Sequence, residues 1–105
     1  MIENYFIDST LEYTEVKYLV LVISDLLENK KRIKLSNLLE SYGFRVQKSA
    51  FEALLDRSKY EKLLRVLEPY VSDSDDSIRV YKIKGKSEVT VMGNDVAPIE
   101  DLIII

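Results

Sequence analysis

Asp25, with Ser24 ahead of it, ends the apolar run Leu19-Val20-Leu21-Val22-Ile23, and a basic cluster of Lys30, Lys31, Arg32 and Lys34 follows closely. A carboxylate at the carboxyl end of a buried strand, near phosphate-seeking cations, suits a hard divalent metal ion acting on a phosphodiester. A single carboxylate holds Mg²⁺ (or Mn²⁺) weakly, because the ion takes one or two carboxylates and fills its octahedron with water and phosphate. Two copies of the chain paired through a sheet face would bring two Asp25 side chains together near the two-fold axis. A cation shared between them would relieve their repulsion. The competing reading is that Asp25 caps the helix that follows.

Lys30, Lys31, Arg32 and Lys34, joined by Arg45 and Lys48, have the chemistry to fix a nucleic-acid backbone without reading bases, with affinity that falls steeply as salt rises. Residues 1 to 29 hold one base and six acids, residues 30 to 65 ten bases and four acids, and residues 66 to 105 four bases and eight acids. The overall charge of −3 therefore conceals a concentrated cationic middle third. Ordinary solvated helix charge is the alternative. Phe51 belongs to the core by the usual behaviour of phenylalanine, the alternatives being a subunit contact or a stacked base.

The chain has no cysteine and no histidine. Thiolate and imidazole zinc sites, a cysteine nucleophile and a serine-histidine triad are excluded, which leaves carboxylates, hydroxyls, Lys/Arg or a hard metal for any catalysis. Gly85-Lys86-Ser87 fails as a phosphate loop because Val80 stands where that motif needs glycine. Asp73-Ser74-Asp75-Asp76 fails as a calcium loop, with Ile78 and Lys84 at positions that require Gly and Glu, and reads as a solvated turn. Met1 to Lys17 carries four acids and one base and does not read as a signal peptide. No apolar run approaches a membrane span, so no membrane partner is expected and the cytoplasm is the default location.

A chain of 105 residues suits one compact domain, and 47% apolar with 31% charged residues argues for a folded one. Residues 18 to 24 read as a strand. Leu35, Leu38, Leu39 and Tyr42 then form one helical face from Lys30 onward, with Gly43 as its stop. Phe44 to Leu55 returns to strand-like composition. A second helix is expected from about 59 to 68, with Ser58 opening a capping box, Tyr60, Leu63, Leu64 and Leu67 as its buried face, and Pro69 ending it. Ser77 to Lys84 and Glu88 to Met92 read as strands, and Leu102 to Ile105 as a terminal strand from about 100. The expected fold is an α+β, ferredoxin-like βαββαβ sandwich over residues 18–105 with an extra C-terminal strand, both helices lying on one sheet face. Residues 1–17 form an unassigned acidic extension. The bare sheet face calls for a partner, most simply a second copy, giving a homodimer through the sheet faces; the terminal strand pairs within its own sheet or with the partner's.

The segments Asp25 to Leu35, Leu38 to Glu52 and Asp76 to Tyr81 resemble the CRISPR-associated protein 2 family, the smaller universal component of CRISPR spacer acquisition. The run Arg45-Val46-Gln47 with Ser49, Phe51 and Glu52 is the most specific part. The resemblance implies a ferredoxin-like homodimer that is a metal-dependent endoribonuclease, some members cutting duplex DNA instead of single-stranded RNA. It also implies a scaffold bridging two dimers of the CRISPR integrase on protospacer DNA. By position, the family's metal-binding aspartate falls on Asp25, its first-helix basic residues on Arg32 and Lys34, its second-strand arginine on Arg45 and its phenylalanine on Phe51. Ser24 departs from the family's usual aromatic at that place, which alters how the carboxylate is packed. A purely non-catalytic DNA-binding adaptor and a toxin-like ribonuclease of the same fold are the alternative functions.

Overall fold

The computed structural model describes residues 2–8, 17–84 and 86–92. In chain order the elements are β1 (Ile2–Asp8), β2 (Lys17–Asp25), α1 (Asn29–Glu40), β3 (Phe44–Gln47), β4 (Ala50–Asp56), α2 (Arg57–Leu67), a 3₁₀ turn (Glu68–Tyr70), β5 (Ser77–Ile83) and β6 (Lys86–Met92). Four strands form one antiparallel sheet in the order β3-β4-β2-β5. The N-terminal extension, unassigned from sequence, contributes β1, which pairs antiparallel with β6 in a separate two-stranded sheet. The terminal strand expected from about 100 lies outside the described residues. Among the described residues no helix is long and apolar enough to cross a membrane.

Alternation along β2 sets the layers. Val20 and Val22 face the helices and meet Ala53 and Phe51 of β4 in register. Leu35 and Leu39 of α1, and Leu63 and Leu67 of α2, close over them. Each such leucine, removed from water, stabilises the fold by roughly 1.5–3 kcal/mol. Phe51 is 3% exposed and belongs to this core, as its chemistry suggests, so it has no face free to stack a base. The odd-numbered residues of β2 point to the other sheet face. There Leu19, Leu21 and Ile23 sit opposite Ile83, Tyr81 and Arg79 of β5. Ile23, Tyr81 and Ile83 stay 37–42% exposed.

Two boundaries and one buried position differ from the sequence reading. Phe44 to Leu55 is a hairpin of two strands, turned at Lys48-Ser49 with a register shift between Arg45 and Gln47. Helix α2 begins at Arg57, so its cap is the side chain of Asp56, which accepts a hydrogen bond from Lys59 N at 2.8 Å, and Ser58 lies inside the helix. Leu64, expected on the buried face, is 39% exposed, and Val66 packs against the core in its place.

Helix α1 ends as Gly43 N donates to Leu39 O at 3.0 Å. The chain then passes so close to β4 that a Cβ on Gly43 would overlap Glu52 O and lie 2.7 Å from Ala53 Cβ. Backbone atoms of a central strand have no room to move aside. Gly43→Ala is therefore expected to destabilise the protein by about 1–3 kcal/mol, the usual cost of overpacking, as read from the midpoint of urea unfolding. An unshifted midpoint would show that α1 and β4 separate freely there.

Candidate nucleic-acid and metal site

Asp25 is the last residue of β2, paired with Ser77 of β5, while the neighbouring Ser24 N donates to Ser49 O at the β3–β4 turn at 3.0 Å. Helix α1 starts four residues on, and its N-cap is Glu28, whose side chain makes no capping bond. Asp25 therefore does not cap the helix. Among the described residues its exposed carboxylate accepts no hydrogen bond and pairs with no cation.

Asp25 and Ser24 line a hollow of about 390 Å³ together with Ile23, Leu26, Arg32, Ser36, Lys48, Ser49 and Phe51. A second hollow of about 200 Å³ shares Arg32, Ser36 and Lys48 and adds Asn29, Ile33, Asn37 and Arg45. The two form one furrow between α1 and the β3–β4 hairpin, acidic at the Asp25 end and basic along its length. Of the residues singled out from sequence, the fold thus gathers Ser24, Asp25, Arg32, Arg45, Lys48 and Phe51. Lys30 and Lys34 are exposed on α1 but line neither hollow.

The gathered cations differ in how free they are. The Arg32 guanidinium donates from Nη1 to Leu26 O at 2.8 Å and Leu27 O at 3.1 Å, and from Nη2 to Asn29 Oδ1 at 3.3 Å. It is tied chiefly to the loop that follows Asp25. Arg45 sits 5.5 Å above the Phe51 ring, donates to Ser36 Oγ and pairs with Glu40 at 3.5 Å. That ion pair is exposed and weak, so it yields readily to a phosphate. Lys48 at the hairpin tip has no partner among the described residues.

Lys31 is not available to a nucleic acid in the way its sequence position suggests. Its ammonium pairs with Asp76, whose side chain has 0% exposure, and donates to Ser72 Oγ at 2.9 Å. Asp76 in turn is not the solvated turn residue expected. Its carboxylate accepts from Leu27 N at 2.8 Å, Asp73 N at 3.0 Å and Ser72 N at 3.3 Å as well as from Lys31. The Leu27 backbone N–H first, then Lys31, hold its carboxyl well below the usual carboxylate range; the Asp73 and Ser72 N–H groups add to this and burial opposes it.

Among the described residues no three acidic side chains gather into a cation site. One hard carboxylate fits half of a water-rich magnesium site, and the absence of Cys and His from the chain leaves no softer ligand to compete. The furrow's neutral helix residues, Asn29, Ser36 and Asn37, were missed in sequence, although they repeat at helical spacing on a face beside that of Leu35 and Leu39. Asp76 was missed because two of its four partners, Leu27 and Lys31, lie 49 and 45 residues away along the chain.

Residues 18–91 match the family model described as CRISPR associated protein Cas2. The chain is 43% identical over 77 residues to the CRISPR-associated endoribonuclease Cas2 of Mycobacterium tuberculosis, covering 73% of this chain and 67% of that one. It is 40% identical, again over 77 residues, to the CRISPR-associated endonuclease Cas2 2 of Thermus thermophilus, covering 73% and 86%. Among solved structures it resembles the hypothetical protein TT1823 from Thermus thermophilus with a TM-score of 0.65 and 40% identity, over 78% of this chain and 95% of the other. A crystal structure of cas2 matches with the same TM-score at 31% identity, over 83% and 99%.

The ionised Asp76 clamp stabilises the fold fully above the range in which an unfolded aspartate titrates, about 3.9, and loses that contribution as pH falls toward its depressed folded value. Asp76→Asn is expected to be less stable than the wild type at pH 7, with the gap closing as pH is lowered from about 5 to 2. Urea unfolding at each pH measures it, and a gap independent of pH would show that the charge contributes nothing.

Proposed function

Because the chain belongs to the CRISPR-associated protein Cas2 family, we propose that it is a metal-dependent phosphodiesterase acting on single-stranded RNA or duplex DNA. The observation that carries this reading is the exposed, unpartnered Asp25 carboxylate lining one hollow with Arg32 and Lys48. The relatives named as endoribonuclease and endonuclease support it. The strand order β3-β4-β2-β5, all antiparallel, with helices after β2 and β4, supports a ferredoxin-like fold.

The working unit is a homodimer. Asp25 shares its parity with Leu19, Leu21 and Ile23, so it stands at the rim of the sheet face left open by the helices. Two such faces would pack together and bury Ile23, Tyr81 and Ile83, and Asp25 of each copy would be the residue to hold Mg²⁺ or Mn²⁺. The bound ion supplies a Lewis acid and an activated water. Ser24 lines the same hollow, Lys48 and Arg45 hold the phosphate backbone, and Arg32 fixes the loop that follows Asp25.

A second reading, a non-catalytic adaptor that grips protospacer DNA between integrase dimers, is favoured by the furrow itself. Its cations contact phosphate and carry no base-reading geometry. The two roles are compatible in one dimer.

Asp25→Ala, compared with the wild type on single-stranded RNA and duplex DNA in Mg²⁺, Mn²⁺ and EDTA, is expected to lose cleavage by about 10²-fold or more, since several kcal/mol of metal-borne stabilisation disappears. Undiminished cleavage would leave the adaptor role alone. For either role, Lys48→Ala is expected to weaken binding without regard to sequence and to lower the salt slope by about one. A salt slope equal to the wild type's would remove Lys48 from the interface.

A further inference from the structure

Nothing but its own backbone holds Asp25 in place, since among the described residues its carboxylate has no hydrogen-bond or ionic partner. The segment just after it, Leu26-Leu27, is gripped from two sides. Arg32 donates to both carbonyls, at 2.8 and 3.1 Å, and Asp76 accepts from Leu27 N at 2.8 Å. We infer that Asp76 is a positioning residue for Asp25, aiming the metal-binding carboxylate by pinning the peptide beyond it; this rests on the metal-site reading above.

The geometry distinguishes this role from that of an ordinary turn residue. Bonds from Ser72 N and Asp73 N would suffice to shape the local turn. The bond to Leu27 is different, because it joins positions 49 residues apart. Ser77, the next residue after Asp76, pairs with Asp25 itself, so two consecutive residues entering β5 fix two of the three residues from Asp25 to Leu27. Leu26 between them is 2% exposed and anchored in the core. Lys31 neutralises the buried anion from α1, which ties the start of that helix to the same point. Displacing a reacting group by even about 1 Å costs of order 10²-fold in rate, so a backbone clamp two residues from the carboxylate acts directly on catalysis.

The test compares full-length wild type, Asp76→Ala and Asp25→Ala. In Asp76→Ala, hydrogen exchange at the Leu27 amide is expected to quicken about tenfold or more, as loss of a bond to a charged acceptor requires, while Val20 and Val22 amides exchange as in the wild type. Mn²⁺ affinity is expected to fall, and kcat to fall by about tenfold or more with KM for nucleic acid unchanged, because the furrow's cations are untouched. Leu27 exchange and Mn²⁺ affinity equal to the wild type's would overturn the inference. Cleavage lost in Asp25→Ala yet unchanged in Asp76→Ala would overturn the positioning role alone, whereas cleavage surviving Asp25→Ala strikes the metal-site reading. If Asp76→Ala does not fold, Asp76→Asn is read in the same assays with the same expected direction. Its side chain has no charge, so its bond to Leu27 N is weaker, and its amide nitrogen cannot accept from Ser72, Asp73 and Lys31, which displaces it; unchanged values there overturn the inference equally.

Discussion

Strand β2 is hydrogen-bonded on both edges, to β4 and to β5, and the alternation this imposes governs everything else. Once Val20 and Val22 are committed to the helices, Leu19, Leu21, Ile23 and Asp25 have no choice but the opposite face. A slip of one residue would reverse every side chain and bury a carboxylate in the core. The same alternation therefore builds the core, leaves apolar side chains exposed on the face away from the helices and sets an acid at that face's rim. The acid cannot be moved without unmaking the sheet.

Charge in the middle third of the chain has several distinct uses, and only coordinates separate them. Lys31 neutralises a buried aspartate, Arg32 holds backbone carbonyls, and Arg57 pairs with Glu61 one helical turn away. Arg45 leans on an aromatic ring and a weak exposed carboxylate, and among the described residues Lys48 stands free. The cationic character that suggests a nucleic-acid partner is thus carried by fewer side chains than the composition implies. Those in the furrow are presented by a helix and a hairpin whose separation is fixed where Gly43 lets α1 close on β4.

Most of the fold was legible because it follows from short-range periodicity. The apolar run from Leu19 to Ile23, the helical face of Leu35, Leu38 and Leu39, and the stop at Gly43 all reappear in place, while Tyr42 packs on the core from the turn after α1. The errors arose where two local signals competed. Asp56 and Ser58 are both good caps, and the end of β4 decided for Asp56. The hairpin at Lys48-Ser49 has no glycine or proline to announce it, so its sequence reads as continuous strand.

The central strand, both helices, the family and the acid at the central strand's end could be read from the chain alone, because each is written in neighbouring residues; β1 and the turn at Lys48-Ser49 could not. The three-dimensional packing is what shows that Asp25 does not cap a helix, that Lys31 faces inward, and that Asp76 is buried among donors from Leu27, Lys31, Ser72 and Asp73. Hydrogen bonds and ion pairs between segments 45 and 49 residues apart leave no periodic trace, since they depend on where strands end in space and not on spacing along the chain.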